Sequence, residues 1–314
     1  MTRYIVRAQL KPFPTPRFQP TGFPDLGPAT YQVPNGKGDW VDGLLVESEQ
    51  SMANRLEATI WDDVQNAPIR AIADLPWVRV RDKDGTYLTS SRVEAHRLAS
   101  AFVRHAKTAD GTKMFDHIAT ALELQPDVPH DRPRMAAALM ALDPLCLIHG
   151  VFFSDKDWLG QPKFPRALVA AIDARNVMPV HSGGVKTDNV SHKNKDGQGS
   201  SEGYGTVPFH RTEYTAEIIE AAFSIDRRQL VSYGLSAQGT DLLFALAQLE
   251  IALLLQSGLR LRTSCQFEVE SLTGDELPSV ESLKAQISEL IAETQEVQAA
   301  EAVVTELVWD GAPK

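Results

Sequence analysis

Three histidines in a glycine-rich segment are the residues whose chemistry is easiest to test against known patterns. His181, His192 and His210 lie within residues 181–214, which also hold six of the chain's 20 glycines. Their spacings of 11 and 18 residues match no zinc-binding pattern, and neither of the two cysteines lies near them in the sequence. The sequence therefore gives a metal centre little support.

Residues 181–214 also lack the apolar side chains of a core element. Before Pro208 the largest apolar residues in this segment are valines and a single tyrosine. Loops longer than about 12–15 residues without structure of their own are usually functional or disordered. The composition thus allows a binding segment, a linker in a protein-interaction module or a disordered surface loop.

A predicted amphipathic helix over residues 44–63 carries a neutral polar face. Gln50, Ser51 and Asn54 lie on the side opposite the apolar stripe, and Arg55 lies at its edge. These groups suit hydrogen bonds to phosphates and sugar hydroxyls, which position RNA without reading its sequence. A solvated outer face is the plain alternative.

Arg17, Phe18 and Gln19 form a second group that suits a nucleic acid. The first 24 residues contain four basic side chains and no acidic one. An arginine beside an aromatic residue is suited to backbone binding and base stacking. For Phe18, packing in the core is the alternative.

Arg92, His96 and Arg97 form a third group, within the block SSRVEAHRLAS. They can line a basic groove, but Glu94 lies among them. A solvated helix explains the same charges equally well.

The net charge of −10 is concentrated near the C-terminal end. Residues 263–314 contain eleven acidic residues and two lysines, so they carry nine of the ten net negative charges. The preceding 262 residues are nearly neutral as a whole. A basic groove on an otherwise acidic protein is therefore compatible with the composition.

Hydrophobic periodicity predicts alternating strands and helices at uneven intervals. We expect a first strand over 4–10, a hairpin over 77–91, a central strand over 145–153, strand-like residues over 217–235 and a last strand over 259–272. We expect helices over 92–106, 133–144, 164–177, 239–257 and 279–300. A small α+β sheet with insertions fits this order better than a doubly wound parallel sheet.

The strongest apolar run, residues 242–256, contains Glu250 and is shorter than the roughly 18 apolar residues of a membrane span. We interpret it as a buried helix. The N-terminal residues show no signal-peptide pattern, so we expect a cytoplasmic protein. Cys146 and Cys265 lie in apolar runs and are expected to be reduced core residues.

Four blocks of the sequence resemble one family. They are RFQPTGFPDLG at 17–27, VESEQSMANRLEA at 46–58, SSRVEAHRLAS at 90–100 and GLRLRTSCQFE at 258–268. The chain resembles the backbone subunit of the type I-G (formerly I-U) CRISPR Cascade surveillance complex, which belongs to the RAMP superfamily. The resemblance runs in order from the first predicted strand to the last, over about 270 residues.

The resemblance implies a single elaborated domain built on a modified RRM or ferredoxin-like palm, with a helical insertion and a protruding thumb hairpin. The expected boundaries are palm 1–80, 141–181 and 216–272, insertion 82–140, thumb 182–215 and acidic C-terminal helix 279–300.

The resemblance also implies a scaffold without catalysis, metal or cofactor. Such subunits oligomerise along the spacer of a CRISPR RNA and leave its bases free to pair with a target DNA strand. The expected partners are CRISPR RNA, target DNA through the guide, neighbouring copies of the chain and other Cascade subunits, with no membrane.

On this resemblance, the glycine-rich segment is the thumb. Gly183 and Gly184 are expected to take positive φ and approach phosphates where the strand leaves the palm. Lys186 and Arg211 supply charge for the RNA backbone, together with Lys193 and Lys195.

A metal-dependent ribonuclease acting on guide-paired RNA is the alternative. Asp188 lies at the expected base of the thumb, where RNA-cleaving relatives in type III complexes carry a catalytic aspartate. A single carboxylate without a partner base or metal ligands is weak support for cleavage.

Overall fold

A computed structural model describes residues 2–23, 26–186 and 207–311 of the 314-residue chain. The strands are β1 (Arg3–Pro12), β2 (Gly22–Phe23), β3 (Gly27–Pro28), β4 (Thr30–Pro34), β5 (Trp40–Glu47), β6 (Trp61–Asp62), β7 (Ala67–Pro68), β8 (Trp77–Arg81), β9 (Tyr87–Ser90), β10 (Val151–Phe152), β11 (Lys163–Phe164), β12 (Leu168–Lys186), β13 (Val207–Asp226), β14 (Leu259–Arg262), β15 (Cys265–Gly274) and β16 (Val304–Val308). The helices are α1 (Glu49–Ala58), α2 (Ala101–His105), α3 (Met114–Ala121), α4 (Arg132–Leu142), α5 (Leu145–Ile148), α6 (Arg227–Ser232), α7 (Ala237–Ser257), α8 (Val280–Glu293) and α9 (Gln295–Gln298). Two 3₁₀ turns span Arg70–Ile72 and Arg97–Ala99.

A seven-stranded antiparallel sheet organises the chain, in the order β14-β15-β1-β13-β12-β5-β4. Along β1, Val6, Ala8 and Leu10 are buried at alternate positions, as expected for a strand with one face on the core. The α+β class predicted from the sequence is confirmed.

Strands β12 and β13 pair along their whole length, from Leu168 opposite Ile225 to Lys186 opposite Val207. Their inner halves lie within the sheet, because β5 pairs with β12 and β1 pairs with β13 there. The outer halves, residues 177–186 and 207–216, continue as a two-stranded ribbon. In addition to pairing with each other, the described strands of the ribbon contact the N-terminal segment through a backbone bridge between Tyr214 and Phe18.

Helix α7 packs against the sheet and α8. It is long and apolar enough to cross a membrane by composition, yet 67% of its most apolar window is buried inside the fold. Ser236 caps its first turn by accepting a hydrogen bond from the Gly239 amide at 3.0 Å. The prediction of a buried core helix is confirmed, and both cysteines are buried and unpaired.

Several predicted elements are also confirmed. The hairpin over 77–91 turns at Gly85, whose φ is 82°. Helix α4 ends before Pro144, and α8 buries Leu283 and Ile287 while its acidic side chains face outward. The first strand is also in place.

Other elements were predicted wrongly. Within residues 164–177, Phe164 ends β11 and residues 168–177 form the first half of β12, since Leu168, Ala170, Ile172 and Ala174 are buried with the period of a strand. The apolar run 145–153 forms α5 and the short β10 instead of a central strand.

Residues 92–106 form turns and the short α2, because Arg97 has a φ of 51° that interrupts a helix. Leu45 belongs to β5, not to the first helix. Residues 217–235 divide between β13 and α6. The segment 259–272 forms two strands, and β16 was not predicted.

A buried pair, His149 and Glu250, joins α7 to the segment after α5. The two side chains are fully enclosed, and Nε2 lies 2.8 Å from Oε2. Burial raises the pKa of Glu250 to about 8 and lowers the pKa of His149 to about 4, because each charged form would lose its hydration. Both groups are therefore neutral at pH 7, and the Glu250 carboxyl O–H donates a hydrogen bond to His149 Nε2.

Glu250→Gln should flatten the pH dependence of stability between about pH 6.5 and 8. In this window the folded protein keeps a proton on Glu250 that the unfolded chain releases, so rising pH favours unfolding of the wild type. His149 opposes this slope only at the lower end of the window, because in the unfolded chain its pKa of about 6.5 leaves few protons to lose above about pH 7.5. A glutamine amide donates to Nε2 and has no proton to lose.

Urea unfolding at intervals from pH 6 to 8.5 measures this effect. Wild-type stability should fall by at most about 1.4 kcal/mol per pH unit, while Glu250→Gln shows no such fall. Glu293→Gln, on the exposed face of α8, is the matched control and should keep the wild-type slope. An unchanged slope in Glu250→Gln would mean that Glu250 is ionised in the folded protein.

Candidate nucleic-acid interface

A groove of about 760 Å³ lies where the ribbon leaves the sheet. We call it the ribbon-base groove. Its lining residues are Gln19, Pro20, Thr21, Gly22, Gly27, Pro28, His210, Arg211, Thr212 and Arg262. These positions come from the N-terminal segment, β13 and β14, so the groove exists only because the sheet brings distant parts of the chain together.

A buried carboxylate holds two arginines beside this groove. Glu213 is 1% exposed, and its Oε2 accepts from Arg17 Nε at 2.8 Å while its Oε1 lies 3.0 Å from Arg211 Nη2. Ser182 Oγ also donates to Oε2, at 2.9 Å. We call this arrangement the Glu213 clamp.

A second buried carboxylate has the same arrangement. Glu47, at the end of β5, is 1% exposed and pairs with Arg55 of α1 and Arg262 of β14. Ser51 donates to the same carboxylate. Partial burial lowers the pKa of Arg55, because its charge is less hydrated than in water. We call this the Glu47 clamp.

The two clamps meet at the ribbon-base groove. Arg262 donates from Nη1 to the Gln19 carbonyl at 3.0 Å, and the Gln19 amide donates to the Ser264 carbonyl at 2.7 Å. Arg211 and Arg262 line the groove, and Glu213 holds Arg17 beside it. Arg55 lies on the other side of Glu47 and lines a separate cavity with residues of α7 and β14. The groove surface suits phosphate groups, which arginine recognises through its fixed fork of donors.

Phe18 anchors this arrangement in the core. Its backbone exchanges two 2.8 Å hydrogen bonds with Tyr214, and its fully buried ring meets Phe267 edge-on at 5.5 Å. The expectation that Phe18 stacks on RNA is corrected here, because no ring surface is accessible. Arg17 and Gln19, on either side of it, remain at the surface.

The polar face of α1 is divided between two environments. Gln50 and Asn54 are exposed, whereas Ser51 and Arg55 are turned toward Glu47. Gln50 accepts a hydrogen bond from Arg166. The predicted RNA-contact face is therefore accessible mainly at Gln50 and Asn54.

Arg92, His96 and Arg97, the third predicted group, do not form one surface in the structure. Arg97 is buried and makes a bidentate pair with Glu57, at 2.7 and 2.6 Å, and donates to the Gly150 carbonyl. Arg92 is buried 3.1 Å from Asp143. Both arginines are corrected to internal ion pairs, since their guanidinium groups are enclosed by protein.

His96 remains exposed. It lines a second cavity of about 490 Å³ together with Gln50, Lys163 and Arg166. The structure thus brings Gln50 and His96, two members of the predicted set, together at this second cavity.

Gly183 and Gly184 lie in β12, opposite His210 and Phe209. Their pairing is that of a continuous strand, and neither has positive φ, so this part of the prediction is wrong. Lys186 ends β12. The predictions for Asp188, His192, Lys193 and Lys195 concern residues outside the described part of the chain.

His181 and His210 lie near the ribbon base, in paired strands. Within residues 2–23, 26–186 and 207–311, no group of three or more His, Cys, Asp or Glu side chains could hold a metal ion. His192 falls outside that range. The geometry of the described part therefore supplies cationic hydrogen-bond donors but no ligand set.

Comparison with family models identifies the chain. A model described as CRISPR-associated protein GSU0053 matches residues 5–179, which is more than half of the sequence. The chain belongs to this CRISPR-associated family. Three of the four resembling blocks lie inside the matched region, so the expectation of a CRISPR-associated protein is confirmed.

Two solved structures show distant likeness to this CRISPR-associated protein. One is a chain described as "CRISPR RNA-guided surveillance complex, pre-nicking", at 13% identity and a TM-score of 0.40, covering 80% of this chain and 69% of that one. The other is Csc2 of Thermofilum pendens, at 11% identity and a TM-score of 0.26, covering 93% and 75%. Both likenesses are too distant to carry an argument. A search of curated proteins found no match.

Sequence reasoning missed three residues of this CRISPR-associated protein's candidate interface. Arg262, Glu47 and Glu213 were not singled out. The signal for Arg262 was available, because LRLR predicts a strand with both arginines on its outward face. The two glutamates gave no such signal, since a buried carboxylate can be recognised only once its arginines are placed beside it.

Arg97→Ala should destabilise the protein by about 3–5 kcal/mol, because it leaves the buried Glu57 carboxylate without its partner. His96→Ala, an exposed neighbour, should stay within about 0.5 kcal/mol of the wild type. Chemical unfolding of both variants measures the difference. Full stability of Arg97→Ala with reduced RNA affinity would instead mean that Arg97 contacts RNA directly.

Proposed function

We propose that the chain is a non-enzymatic CRISPR-RNA-binding backbone subunit of a type I-G Cascade complex. The observation that carries this proposal is the pair of clamps, which place Arg211 and Arg262 in one groove at the base of a two-stranded ribbon and hold Arg17 beside it. Membership in a CRISPR-associated family supports it. The sequence resemblance supplies the subtype.

The strand order is compatible with a ferredoxin-like palm. In the segment β15-β1-β13-β12, β13 lies between β1 and β12, and β1 lies between β13 and β15. Two interleaved crossovers through α1 and α7 give this order in a β-α-β-β-α-β unit. Strands β5, β4 and β14 extend that sheet at its edges.

On this proposal the whole chain is one domain. The palm comprises about residues 1–80, 141–181 and 216–272, and the helical insertion about 82–140. The thumb spans about 182–215, of which the described part is the end of the ribbon. The acidic helix of about 279–300 packs on α7, and none of its carboxylates is among the residues that line the groove.

The groove binds the guide through its backbone. Arginine forks contact successive phosphates, while Gln50 and Asn54 of α1 offer neutral hydrogen bonds to sugar and phosphate oxygens. Because these contacts leave base edges free, the guide can pair with target DNA. The protein therefore grips any spacer sequence with similar strength.

The ribbon gives a reason for assembly in many copies. An isolated pair of strands is marginally stable in water. Contact with RNA and with an adjoining copy of the chain stabilises the ribbon, so binding of one subunit favours the next. The complex is a cytoplasmic ribonucleoprotein filament that also meets other Cascade subunits and serves antiviral defence.

Gln50→Glu combined with Asn54→Asp should weaken binding of a CRISPR RNA by about tenfold, because both changes place negative charge beside phosphates at nearly unchanged shape. The loss should be equal for unrelated spacer sequences. Fluorescence anisotropy with two guides of different sequence measures it, after checking whether RNA copurifies with the protein.

Gln286→Glu is the control for that experiment. It makes one amide-to-carboxylate change, half the charge added by the double variant, on the exposed face of α8, whose residues do not line the groove. It should leave RNA affinity within about twofold of the wild type. Loss of affinity for one guide only, or equal loss in the control, would contradict backbone binding on the α1 side.

The ribonuclease alternative predicts cleavage of RNA complementary to the guide. On our proposal, purified protein incubated with guide, complementary RNA and Mg²⁺ or Mn²⁺ leaves the RNA intact, because the protein is a scaffold. Gel analysis over several hours decides the question. Cleavage by the wild type that Asp188→Ala abolishes would replace the scaffold function with a catalytic one.

A further inference from the structure

The Glu213 clamp combines a hidden carboxylate with accessible guanidinium groups. Glu213 is 1% exposed, whereas the side chains of Arg17 and Arg211 are 47% and 31% exposed. The acid thus lies under the arginines and faces away from solvent. Arg17 comes from the N-terminal segment and Arg211 from the ribbon, so the carboxylate joins two separate elements.

The hydrogen bonds leave donors available at the surface. Among the described contacts, Arg17 uses Nε on Glu213, and Arg211 uses Nη2 on Glu213 and Nε on Ser182 Oγ. The remaining guanidinium N–H groups are Nη1 and Nη2 of Arg17 and Nη1 of Arg211. A carboxylate that occupies one side of each planar fork directs the other side outward.

We propose that Glu213 is a positioning residue for the guide RNA. It does not touch RNA itself, but holds Arg17 and Arg211 so that their remaining donors meet the sugar-phosphate backbone together. The inference rests on the proposed function and adds to it the residue that arranges its cationic contacts. Because both side chains are already fixed in the unbound protein, their rotamer entropy is not lost when RNA binds. The binding free energy is therefore more favourable than with freely rotating arginines.

If net charge alone sets RNA affinity, removing the Glu213 carboxylate should have the opposite effect from that expected if Glu213 positions the arginines. With Glu213 ionised, the clamp carries a net charge of about +1; with a neutral residue it carries about +2. If charge alone governed affinity, Glu213→Gln would bind RNA more tightly. If Glu213 positions the arginines, the same variant binds more weakly although it is more positive.

The Glu47 clamp repeats the design but gives a less direct test. Arg55 also donates to the Leu261 carbonyl at 2.6 Å, and Arg262 donates to the Val46 and Gln19 carbonyls. These arginines are held by the backbone as well as by Glu47. Removing Glu47 would therefore disturb the fold more than the groove, which makes Glu213 the better position for mutation.

The experiment compares Glu213→Gln with Glu217→Gln. Glu217 lies four residues further along β13, on the same strand face, is exposed, and accepts a hydrogen bond from Asn176 at 2.6 Å. Both variants lose one negative charge from the same strand. RNA affinity is measured for each by fluorescence anisotropy at a series of salt concentrations.

Glu213→Gln should weaken RNA binding about tenfold and reduce the log-log salt slope by roughly 0.7, the loss of about one phosphate contact. Glu217→Gln should bind as tightly as the wild type or slightly more tightly. Equal or tighter binding by Glu213→Gln would overturn the proposal. Weaker binding with an unchanged salt slope would also overturn it, because no phosphate contact would have been lost.

A double-mutant cycle separates positioning from a purely structural role. In an Arg17→Gln, Arg211→Gln background, Glu213→Gln should have no further effect on RNA affinity, since it acts through those arginines. A further loss there would overturn the proposal. Thermal unfolding establishes that each variant is folded at the binding temperature.

Should Glu213→Gln fail to fold, Glu213→Asp provides the second variant. It keeps the charge but withdraws the carboxylate by one methylene, and should still weaken binding several-fold. Wild-type affinity in a folded Glu213→Asp would overturn positioning. Failure of the wild-type protein to bind RNA would overturn the proposed function and this inference together, whereas normal wild-type binding isolates the role of Glu213.

Discussion

The long antiparallel pair β12–β13 is the constraint on which the other features depend. Its inner half is the centre of the main sheet, and its outer half leaves that sheet as the ribbon. The register is the same on both sides of Asn176, where the pairing is interrupted at a φ of 52°, so the core sets the register of the ribbon. The N-terminal segment then attaches to the ribbon base through Phe18 and Tyr214, which closes the groove on one side.

Buried carboxylates join the elements that surround this pair. Glu57 of α1 holds Arg97, and Asp143 at the end of α4 holds Arg92, which connects both helices with the turns that follow β9. Mutating one partner of a buried ion pair leaves an unpaired buried charge and destabilises the fold strongly. The intact pair adds little net stability, because burying both charges costs hydration free energy. The sequence is therefore constrained to keep both members of each pair, and such pairs specify geometry more than they supply folding energy.

The sequence predicted the long and strongly patterned elements well. β1, the hairpin at 77–91, α4, α7 and α8 follow from periodicity, turn residues and caps that act locally. Residues 164–177 failed because their many alanines satisfy both the helical and the strand period. The run 145–153 failed because a buried helical turn and a buried strand have the same composition.

At the candidate site, the sequence predicted solvent-exposed side chains correctly only where the pattern of neighbouring residues determines their exposure. Gln50, Asn54 and Arg17 are at the surface as expected, and Arg211 lies beside the groove. Phe18, Arg92 and Arg97 are inside, and nothing in their neighbours along the chain reveals it. Their burial depends on contacts with Phe267, Asp143 and Glu57, each far away in sequence.

The solvent exposure of the arginine distinguishes the internal ion pairs of Arg92 and Arg97 from the Glu213 clamp. Around Arg92 and Arg97 both partners are enclosed, so every charge is neutralised within the fold. In the Glu213 clamp the acid is equally deep but the arginines extend to solvent, which leaves their outer donors without a partner among the described residues. The Glu213 carboxylate is buried, whereas the guanidinium groups of Arg17 and Arg211 are hydrated at the surface. The positive charge of the clamp therefore faces solvent. An anion meeting that surface finds donors already oriented, and the same residue types that hold the core together become a means of binding at its edge.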